Sequence, residues 1–505
     1  MTLQEAGEGV AATESGGVPR SPVRVGMDPA QGVWIGGRGH SASDGREISV
    51  LDPATGEVIA RVADGGVCEA VAAVEAASSA FDSWSATTPR QRSSILMAAF
   101  QAMLADADRL AALIVRENGK ALTDAKAELA YAAEFLRWYA EECVRGDGEY
   151  AESPAGGTRT IVTRRPVGVA AMVTPWNFPA AMVTRKLAPA LAAGCTVVLK
   201  PAEETPLTAL AIAAILHDAG VPDGVVNVVP SSDAPGVVST WLESRDVRAV
   251  SFTGSTQVGR KLLEQAAQRV INPSMELGGN APFVVFDDAD IDAAVAGAMI
   301  AKFRNGGQAC TAANRFYVHA DVLEEFTAKF GAAVARLRVG HGLAPGTDVG
   351  PLIARKALAG VSELVARAVE AGARITHQAA VPGGLDGYFY PPTVLRDVDE
   401  TSPLVQQEIF GPVAAIIAWD DQDDLLRQVN GTEFGLASYV YSGDLKRALK
   451  FAERLEAGMV GVNRGIVSDP AAPFGGMKQS GLGREGARAG LHEFQEVQYF
   501  SVDWS

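Results

Sequence analysis

The chain has 505 residues, which allows two to four domains at roughly 100–200 residues each and leaves room for a large buried core. Its 44 lysines and arginines against 60 aspartates and glutamates give a formal net charge of −16. Because a phosphate backbone is bound by a basic surface, this acidic balance argues against nucleic acid as a partner. With 48% hydrophobic and 21% charged residues, the composition also excludes a collagen-like or wholly disordered protein.

The N-terminus and the cysteines indicate the cellular setting. Residues 1–28 are rich in Gly, Ser, Pro and Glu without an apolar period, which predicts a flexible N-terminal tail and not a secretory signal. No uncharged apolar run is long enough to span a bilayer, so we expect no membrane partner. Four scattered cysteines predict neither a disulfide framework nor a metal site. Together these features predict a soluble protein of the cytoplasm.

The part of the chain after the N-terminal tail is predicted to be mainly helical, and a strand follows it. Over residues 67–146 apolar residues recur at spacings of three and four, which is the period of an amphipathic helix, and residues 122–143 form a second clear stretch of this kind. Residues 158–173 contain many β-branched residues and predict a strand or a hairpin arm.

Beyond this point short apolar runs alternate with helical segments. Buried strands are predicted at residues 196–199, 225–229, 249–252 and 282–286, and helices at residues 208–219, 258–268, 322–337 and 356–371. Such alternation is typical of a parallel, doubly wound sheet, which binds ligands where its strands end. The last predicted strand, residues 496–501, has no evident partner nearby, so we expect it to pair with another subunit.

Cys310 follows a pair of glycines within residues 303–315 (FRNGGQACTAANR). Glycines let a backbone pass close to a ligand, and a thiolate is a strong nucleophile where the site is partly exposed and lined by N–H groups. The alternative is an inert core cysteine. Cys195, among small apolar neighbours, fits that alternative, as do Cys68 and Cys143 in their helical segments.

Two further residues have surroundings that suit assistance to a nucleophile. Glu276 stands among apolar residues and glycines (residues 274–280, SMELGGN), where burial would raise the pKa of its carboxyl group and make it a base near neutral pH. Asn177 lies in a proline-bounded turn (residues 174–179, TPWNFP), where its amide can stabilise an oxyanion. A solvated loop glutamate and an ordinary turn asparagine are the alternatives.

Two strand ends have features of a nucleotide site. In residues 252–259 (FTGSTQVG), Gly254 and Ser255 stand where the free N–H groups of a helix start can take a phosphate. The glycine spacing is not the standard dinucleotide pattern, so a plain serine-capped helix start remains an alternative. In residues 200–206 (KPAEETP), an acidic residue can accept hydrogen bonds from ribose hydroxyls and repel a 2′-phosphate, unless the segment is only a charged loop.

Together and in this order, the motifs resemble those of the aldehyde dehydrogenase family. The matching stretches are residues 175–179 (PWNFP), 200–203 (KPAE), 252–255 (FTGS), 276–280 (ELGGN), 307–310 (GQAC), 408–412 (EIFGP) and 473–481 (PFGGMKQSG). The resemblance implies an α/β fold in three parts: a Rossmann-type NAD-binding domain (residues 29–145 and 168–279), an α/β catalytic domain (280–483) and a small β oligomerisation element (146–167 and 484–505). It also implies a homodimer or homotetramer, in which residues 496–501 extend a neighbouring subunit's sheet.

The resemblance also implies a mechanism. The Cys310 thiolate attacks the aldehyde carbon, and the Asn177 amide and the Cys310 N–H hold the oxyanion. Hydride then passes to the nicotinamide, and Glu276 activates the water that hydrolyses the thioester. Lys186 and Glu485 match the family's lysine near the oxyanion site and its proton-relay glutamate. Because family members that acylate coenzyme A lack the deacylating glutamate, Glu276 favours a free acid as product.

The same resemblance implies NAD as cofactor, with NADP as the alternative. Lys200 and Glu203 match the positions that bind the adenosine ribose, and Ser255, beside Gly254, matches the pyrophosphate position. The other matching cofactor positions are Thr174, Pro175, Trp176, Glu408 (nicotinamide ribose) and Phe410 (flanking the ring). Because Glu203 follows the NAD-preferring pattern, we expect NAD to be preferred.

Within the family, four stretches look like the succinate-semialdehyde dehydrogenase subfamily: residues 176–187 (WNFPAAMVTRKL), 283–290 (FVVFDDAD), 302–310 (KFRNGGQAC) and 481–486 (GLGREG). In that subfamily two arginines and a serine bind the substrate carboxylate, and Arg185, Arg304 and Ser468 match these positions. Arginine binds a carboxylate bidentately and strongly when desolvated. Arginines in purely structural ion pairs are the alternative.

The sequence therefore predicts NAD(P)-dependent oxidation of succinate semialdehyde to succinate. Glutarate semialdehyde would be bound by similar arginines and an aromatic aldehyde is a further alternative, whereas a cationic aminoaldehyde would be repelled. A catalytically silent structural protein on this fold is the alternative of another class. The intact set of Cys310, Glu276 and Asn177 argues against it.

Overall fold

The computed structural model of the protein describes residues 32–146 and 148–505. The predicted N-terminal tail, residues 1–28, lies outside the described residues. The described chain begins with two hairpins, β1 (Val33–Ile35) with β2 (Arg38–His40) and β3 (Glu47–Leu51) with β4 (Val58–Ala63). None of the helices in the two described ranges combines the length and hydropathy needed to cross a bilayer.

The helical pattern of residues 67–146 is confirmed and divides into four helices. They are α1 (Val67–Ser85), α2 (Pro89–Ala105), α3 (Ala107–Asn118) and α4 (Leu122–Glu142). At the start of α2, Thr88 and Gln91 form a reciprocal capping box that satisfies free N–H groups of the first turn. The buried face of α4 includes Leu129 and Phe135, and it also carries a carboxylate, Glu128.

The prediction of a single strand or hairpin arm for residues 158–173 is wrong in one respect. The segment contains two strands of different sheets, β6 (Thr158–Pro166), which pairs antiparallel with β5 (Glu149–Glu152), and β7 (Val169–Val173). Gly168 separates β6 from β7 with a φ of +133°, a backbone conformation that other residues rarely adopt. The chain changes sheet here, and the β-branched character on both sides of the break hides it.

The next part of the chain is the predicted doubly wound sheet. Its further elements are α5 (Ala181–Ala193), β8 (Thr196–Lys200), α6 (Pro206–Asp218), β9 (Val226–Val228), α7 (Ala234–Glu243), β10 (Val247–Thr253), α8 (Thr256–Ala267) and β11 (Asn272–Glu276). Five parallel strands stand in the order β9-β8-β7-β10-β11, and the β1–β2 hairpin extends the β9 edge. The strand order reverses between β7 and β10, which is the place where such sheets bind ligands.

A second α/β unit follows. Its elements are β12 (Ala281–Val285), α9 (Ile291–Phe303), β13 (Ala313–His319), α10 (Leu323–Ala335), α11 (Arg355–Glu370), β14 (Arg374–Gln378), β15 (Thr393–Arg396), α12 (Pro403–Gln406), β16 (Val413–Trp419), α13 (Gln422–Asn430), β17 (Phe434–Gly435), β18 (Ala437–Tyr441), α14 (Leu445–Ala452) and β19 (Met459–Val462). The sheet has the order β14-β15-β16-β13-β12-β18-β19, and only the β14–β15 pair is antiparallel. Every residue of β12 is buried, as expected where helices cover both faces of a parallel sheet.

The C-terminal segment returns to the earlier sheets through β20 (Met477–Lys478), β21 (Gly481–Leu482), α15 (Ala487–His492) and β22 (Gln495–Asp503). β21 pairs antiparallel with β11, and β20 pairs with β17. The prediction that the terminal strand lacks a partner in its own chain is wrong, because β22 pairs antiparallel with the whole of β6. In the resulting sheet β22-β6-β5 the terminal strand is an edge. That partner lies far upstream in sequence, where local alternation gives no sign of it.

Candidate active site

Loops from the two parallel sheets meet around one cavity of about 250 Å³. The first sheet contributes residues at the C-terminal ends of β7, β10 and β11, and the second contributes the segments that precede β12, β13 and β16. Eight residues singled out from the sequence line it together: Pro175, Trp176, Asn177, Gly254, Ser255, Cys310, Glu408 and Phe410. The candidate nucleophile and the candidate nicotinamide site are therefore one place.

Cys310 lies half-buried between a 3₁₀ turn, Arg304–Gly307, and the start of β13. A Cβ atom at Gly279 would lie 2.4 Å from the Cys310 carbonyl oxygen, so only glycine allows the two segments to approach this closely. Cys195 is fully buried, as expected for an inert thiol, and Cys143 is half-buried. Cys68 is exposed at the start of α1, so its assignment as a core cysteine was wrong.

The surroundings of the Cys310 thiol favour its protonated form. Burial raises the pKa of this thiol to about 12, and Glu408 and Glu276 act in the same direction, against Arg185 and Arg304. The sequence predicted a site that favours the thiolate, whereas two carboxylates and low exposure have the opposite effect in this structure. Attack by Cys310 therefore requires a group that takes up its proton.

Asn177 is fixed against the loop that carries the nucleophile. Its Nδ2 donates to the carbonyl of Gln308, two residues before Cys310, at 3.1 Å. Its own carbonyl accepts hydrogen bonds from the Lys120 ammonium and the Asn305 amide, each at 2.8 Å. Within the described part of the chain Nδ2 has this one acceptor, so its second hydrogen is available for an oxyanion.

Glu276 ends β11 with a buried carboxyl group. Neither of its oxygens has a hydrogen-bond partner among the residues that the structure describes. Burial, together with the nearby Glu485 carboxylate, raises the pKa of Glu276 well above its usual value, against Lys186 and Arg185. An unpartnered buried carboxyl with a raised pKa is a stronger base than an exposed one and marks a candidate functional group.

Glu485 lies near Glu276, but its surroundings shift the pKa of its carboxyl group in the opposite direction. It accepts hydrogen bonds from Lys186 Nζ at 2.6 Å and from Arg185 Nη1 at 3.4 Å. Burial acts to raise the pKa of Glu485, but Lys186 and Arg185 outweigh it and hold the pKa below its usual value. Lys186 also donates to Ser251 Oγ at 2.8 Å. The two glutamates therefore differ in protonation, which is the usual arrangement of an acid–base pair.

The three predicted carboxylate-binding residues differ in how available they are. Arg185 is 2% exposed, and its Nη2 donates to the Tyr131 hydroxyl at 2.6 Å while Nη1 faces Glu485. The guanidinium of Arg304 is half-buried over the Phe178 ring, 5.2 Å from its centroid, and no carboxylate of the two described ranges pairs with it. Ser468 is half-buried in the loop after β19. Arg304 is therefore the guanidinium with free donors.

The residues around the cavity also suit a nicotinamide. The rings of Trp176 and Phe410 meet edge to face, with their centroids 5.4 Å apart. Phe410 has a φ of +50°, which is strained for a bulky residue and is typical of functional sites. Glu408 accepts a hydrogen bond from the Gly279 N–H at 3.2 Å, and burial raises the pKa of its carboxyl to about 7.

The adjoining strand ends suit the rest of a dinucleotide. Ser255 caps α8 by accepting a hydrogen bond from the Val258 N–H at 3.4 Å, next to the cavity. Thr174 donates its N–H to the carbonyl of Lys200, whose buried ammonium donates to the Pro201 carbonyl at 3.0 Å. Glu203 is exposed in the following turn. A helix start for phosphate and an exposed carboxylate for ribose hydroxyls are the features that a dinucleotide requires.

Sequence reasoning missed the polar residues behind the site. They are Lys120, Asp124, Glu128, Tyr131, Asn305 and Gln308, which contact residues 177–181 or Arg185, or hold the loop before Cys310. One signal was available, since Asp124 and Glu128 stand four residues apart and flank Ala125 and Leu129 of the buried face of α4. Carboxylates in that position indicate buried polar partners.

Comparison with known proteins identifies the class. Residues 40–500 match the aldehyde dehydrogenase family, and the chain belongs to this family. It is 52% identical to a succinate-semialdehyde dehydrogenase of Paenarthrobacter nicotinovorans, over 86% of this chain and 96% of that protein. It is 48% identical to a glutarate-semialdehyde dehydrogenase of Pseudomonas putida, over 94% and 98% of the two chains.

The fold prediction is confirmed by solved structures as well. The crystal structure of an NADP-dependent enzyme of E. coli superposes with a TM-score of 0.92 at 47% identity, covering 94% of this chain and 98% of that one. The protein is thus an α/β enzyme that oxidises aldehydes with NAD(P).

Proposed function

We propose that the enzyme oxidises succinate semialdehyde to succinate. The observation that carries this proposal is the half-buried guanidinium of Arg304, which lies six residues before the nucleophile without a carboxylate partner in the described chain. A desolvated guanidinium with free donors binds a carboxylate bidentately. The relatives named for succinate and glutarate semialdehyde support a substrate with a carboxylate remote from its aldehyde.

The proposed reaction begins at Cys310. Its proton passes through water to the carboxylate form of Glu276, which has no hydrogen-bond partner in the described structure, and the sulfur adds to the aldehyde carbon. The free N–H of Asn177 and the Cys310 N–H stabilise the resulting oxyanion, an interaction worth roughly 2.7–4 kcal/mol per donor. Collapse of the oxyanion to a carbonyl releases hydride from the same carbon and leaves a thioester at Cys310. Glu408, Phe410 and the start of α8 would hold the dinucleotide, whose nicotinamide would supply the hydride acceptor.

Glu276 completes the proposed reaction by deacylation. The carboxylate form takes a proton from a water molecule, and the hydroxide adds to the thioester at Cys310. Lys186 and Glu485 lie beside it and provide a route by which the proton leaves the site. Arg185 orients Glu485 and adds positive charge near the substrate. Ser468 supplies a further hydrogen-bond donor for the substrate carboxylate.

The test of this proposal is the Arg304→Ala variant assayed with succinate semialdehyde and with butanal, which lacks the carboxylate. Loss of a hydrogen-bonded ion pair of about 1.5–3 kcal/mol lowers kcat/KM for succinate semialdehyde by about 10- to 150-fold, chiefly through KM. The value for butanal stays within about threefold of the parent. Arg374→Ala, which removes an exposed arginine paired with Asp397, is the matched control. An equal loss on both aldehydes would refute carboxylate binding by Arg304.

Glutarate semialdehyde is the second candidate substrate. A glutarate-semialdehyde dehydrogenase from Pseudomonas putida is 48% identical to this protein. Glutarate semialdehyde is longer than succinate semialdehyde by one methylene group and carries the same carboxylate for Arg304 to bind. The ratio of kcat/KM for the two semialdehydes decides between them, because one methylene in a fitted site is worth roughly 1–3 kcal/mol.

We propose that NAD is preferred to NADP. The support is Glu203, whose exposed carboxylate follows the buried Lys200 at the end of β8, where it meets ribose hydroxyls and repels a 2′-phosphate. Initial rates with each cofactor test this preference, and Glu203→Ser is expected to raise kcat/KM for NADP relative to NAD.

We also propose a homodimer or homotetramer in the cytoplasm. The sheet β22-β6-β5 supports self-association, since it exposes Tyr150, Val497 and Tyr499 by 63%, 60% and 59%. The cysteines of the described chain are all free thiols, as in a reducing compartment. Native mass spectrometry of the full chain gives the number of subunits.

A further inference from the structure

Three charged residues that take no part in the proposed reaction contact the segments that contain Asn177 and Cys310. Lys120 lies between α3 and α4, and Asp124 and Glu128 lie one turn apart on α4. We call these three residues the α4 clamp. None of them reaches the cavity that Cys310 lines, so any effect on the reaction must pass through other residues.

Lys120 and Glu128 fix the segment that contains Asn177. Their side chains are fully buried and form an ion pair of 2.5 Å. Glu128 accepts hydrogen bonds from the N–H of Ala180 at 2.8 Å and of Ala181 at 3.3 Å, at the start of α5. Lys120 donates to the Asn177 carbonyl at 2.8 Å. The ion pair therefore holds both ends of residues 177–181.

Asp124 fixes the loop that contains the nucleophile. Its Oδ2 accepts the N–H of Asn305 at 2.7 Å. Asn305 has a φ of +53°, a left-handed conformation that asparagine adopts more readily than most residues. Its side-chain amide donates to the carbonyls of Asn177 at 2.8 Å and Gln308 at 3.1 Å. One helix thus holds the oxyanion donor and the nucleophile loop together.

The energetics of the ion pair favour a positioning role over a stabilising one. Desolvation of two fully buried charges offsets most of their attraction, so apolar residues of similar volume often stabilise a fold equally well. The α4 helix already packs through Leu129, Phe135 and Tyr139. Every further hydrogen bond of the described Lys120 and Glu128 side chains ends on the backbone of residues 177–181. The Lys120–Glu128 ion pair therefore fixes the position of that backbone.

We propose that Lys120, Asp124 and Glu128 are positioning residues that hold Asn177 in register with Cys310. The proposal rests on the proposed attack of Cys310 on an aldehyde, but not on which aldehyde is bound. An oxyanion donor acts only in the transition state, so its displacement lowers kcat without changing KM. A misplacement of about 1 Å lowers the rate by about 100-fold.

The first test compares Asp124→Ala with Asp124→Asn. Alanine removes the acceptor for the Asn305 N–H, whereas asparagine keeps an oxygen there. We expect kcat to fall about tenfold or more in the alanine variant and to stay within about threefold in the asparagine variant, with KM values unchanged in both. Asp108→Ala, which removes an exposed aspartate paired with Lys126, is the control and leaves kcat unchanged.

The second test replaces the ion pair by the double variant K120M/E128Q. Methionine fills the volume of the lysine, and glutamine keeps an acceptor for the Ala180 N–H, so the variant is expected to retain its melting temperature and its cofactor affinity. We expect kcat to fall about tenfold or more. The matched control is K126M/D108N, which changes an exposed ion pair between α3 and α4. If the buried double variant does not fold, the pair of Asp124 variants decides the question.

Each variant is assayed with succinate semialdehyde and with butanal. A positioning role lowers kcat equally for both aldehydes. In Asp124→Ala or K120M/E128Q, a loss confined to succinate semialdehyde, a kcat within twofold of the parent, or an activity that falls only in step with melting temperature would each overturn the proposal. Cys310→Ala, measured in parallel, tests the proposed reaction itself, because full turnover by that variant refutes the reaction and not the clamp.

Discussion

Glu276 and Glu485 are the same residue type in neighbouring positions, and their surroundings shift the pKa values of their carboxyl groups in opposite directions. Glu276 is buried without a hydrogen-bond partner in the described structure, whereas Glu485 accepts hydrogen bonds from Lys186 and Arg185. Burial raises the pKa of the first, and the two cations lower that of the second. One carboxyl is thus prepared to take up a proton while the other keeps its charge.

The pH dependence of deacylation follows from the raised pKa of Glu276. Below that pKa the carboxyl is protonated and cannot act as a base, so hydrolysis of the acyl-enzyme accelerates as pH rises through it. The rate reaches its plateau at a higher pH than an ordinary glutamate would give. Single-turnover hydrolysis of the acyl-enzyme as a function of pH measures this step. A Glu276→Gln variant with an unchanged pH profile would show that another group is the base.

At the scale of single elements, the loop before β12 has to pass very close to the loop before β13. A Cβ atom at position 279 would lie 2.4 Å from the Cys310 carbonyl oxygen and 3.2 Å from Leu436 Cβ. Both contacts are with parts of the fold that cannot move aside cheaply. The position of the nucleophile is therefore set by a glycine in another segment as well as by its own turn.

Gly279→Ala is expected to displace Cys310 and lower kcat by at least about tenfold, with a loss of roughly 1–3 kcal/mol in the free energy of unfolding. Gly360→Ala is the control, because Gly360 lies within α11 with open space where a Cβ would be. That variant is expected to gain about 0.5–1 kcal/mol in the free energy of unfolding and to keep its activity. Steady-state kinetics and urea unfolding measure both quantities, and a fully active Gly279→Ala would contradict the close approach.

The sequence predicted the elements whose pattern is local. The period of α4, the buried runs of β8 and β12 and the motifs around Asn177, Glu276 and Cys310 are all read within a few residues. The local pattern gave no partner for β22, because its pairing with β6 joins segments distant along the chain, and only the family resemblance grouped the two segments in one element. The α4 clamp was missed for the same reason, since its partners lie in other segments and only the fold brings them together.

At the scale of the whole molecule, the active site lies between two sheets. The C-terminal ends of β7, β10 and β11 supply Asn177, Ser255 and Glu276, while the segment before β13 supplies Cys310. The reversal of strand order between β7 and β10 opens the first sheet where a dinucleotide binds. The segment before β16 of the second sheet also lines the cavity, so both sheets contribute to the cofactor position and to the reaction centre.

The central claim is that Cys310 forms a thioester with a carboxylate-bearing acyl group, which Glu276 then hydrolyses. The most direct measurement is the mass of the Glu276→Gln variant after incubation with succinate semialdehyde and NAD, followed by peptide mapping. Because glutamine cannot take up the Cys310 proton, we expect labelling to be slow, and faster with succinate semialdehyde than with an equal concentration of butanal. Labelling ends at one succinyl group per chain, on the peptide that contains Cys310. A chain that stays unmodified while NADH forms, or a succinyl group on another cysteine, would contradict the account.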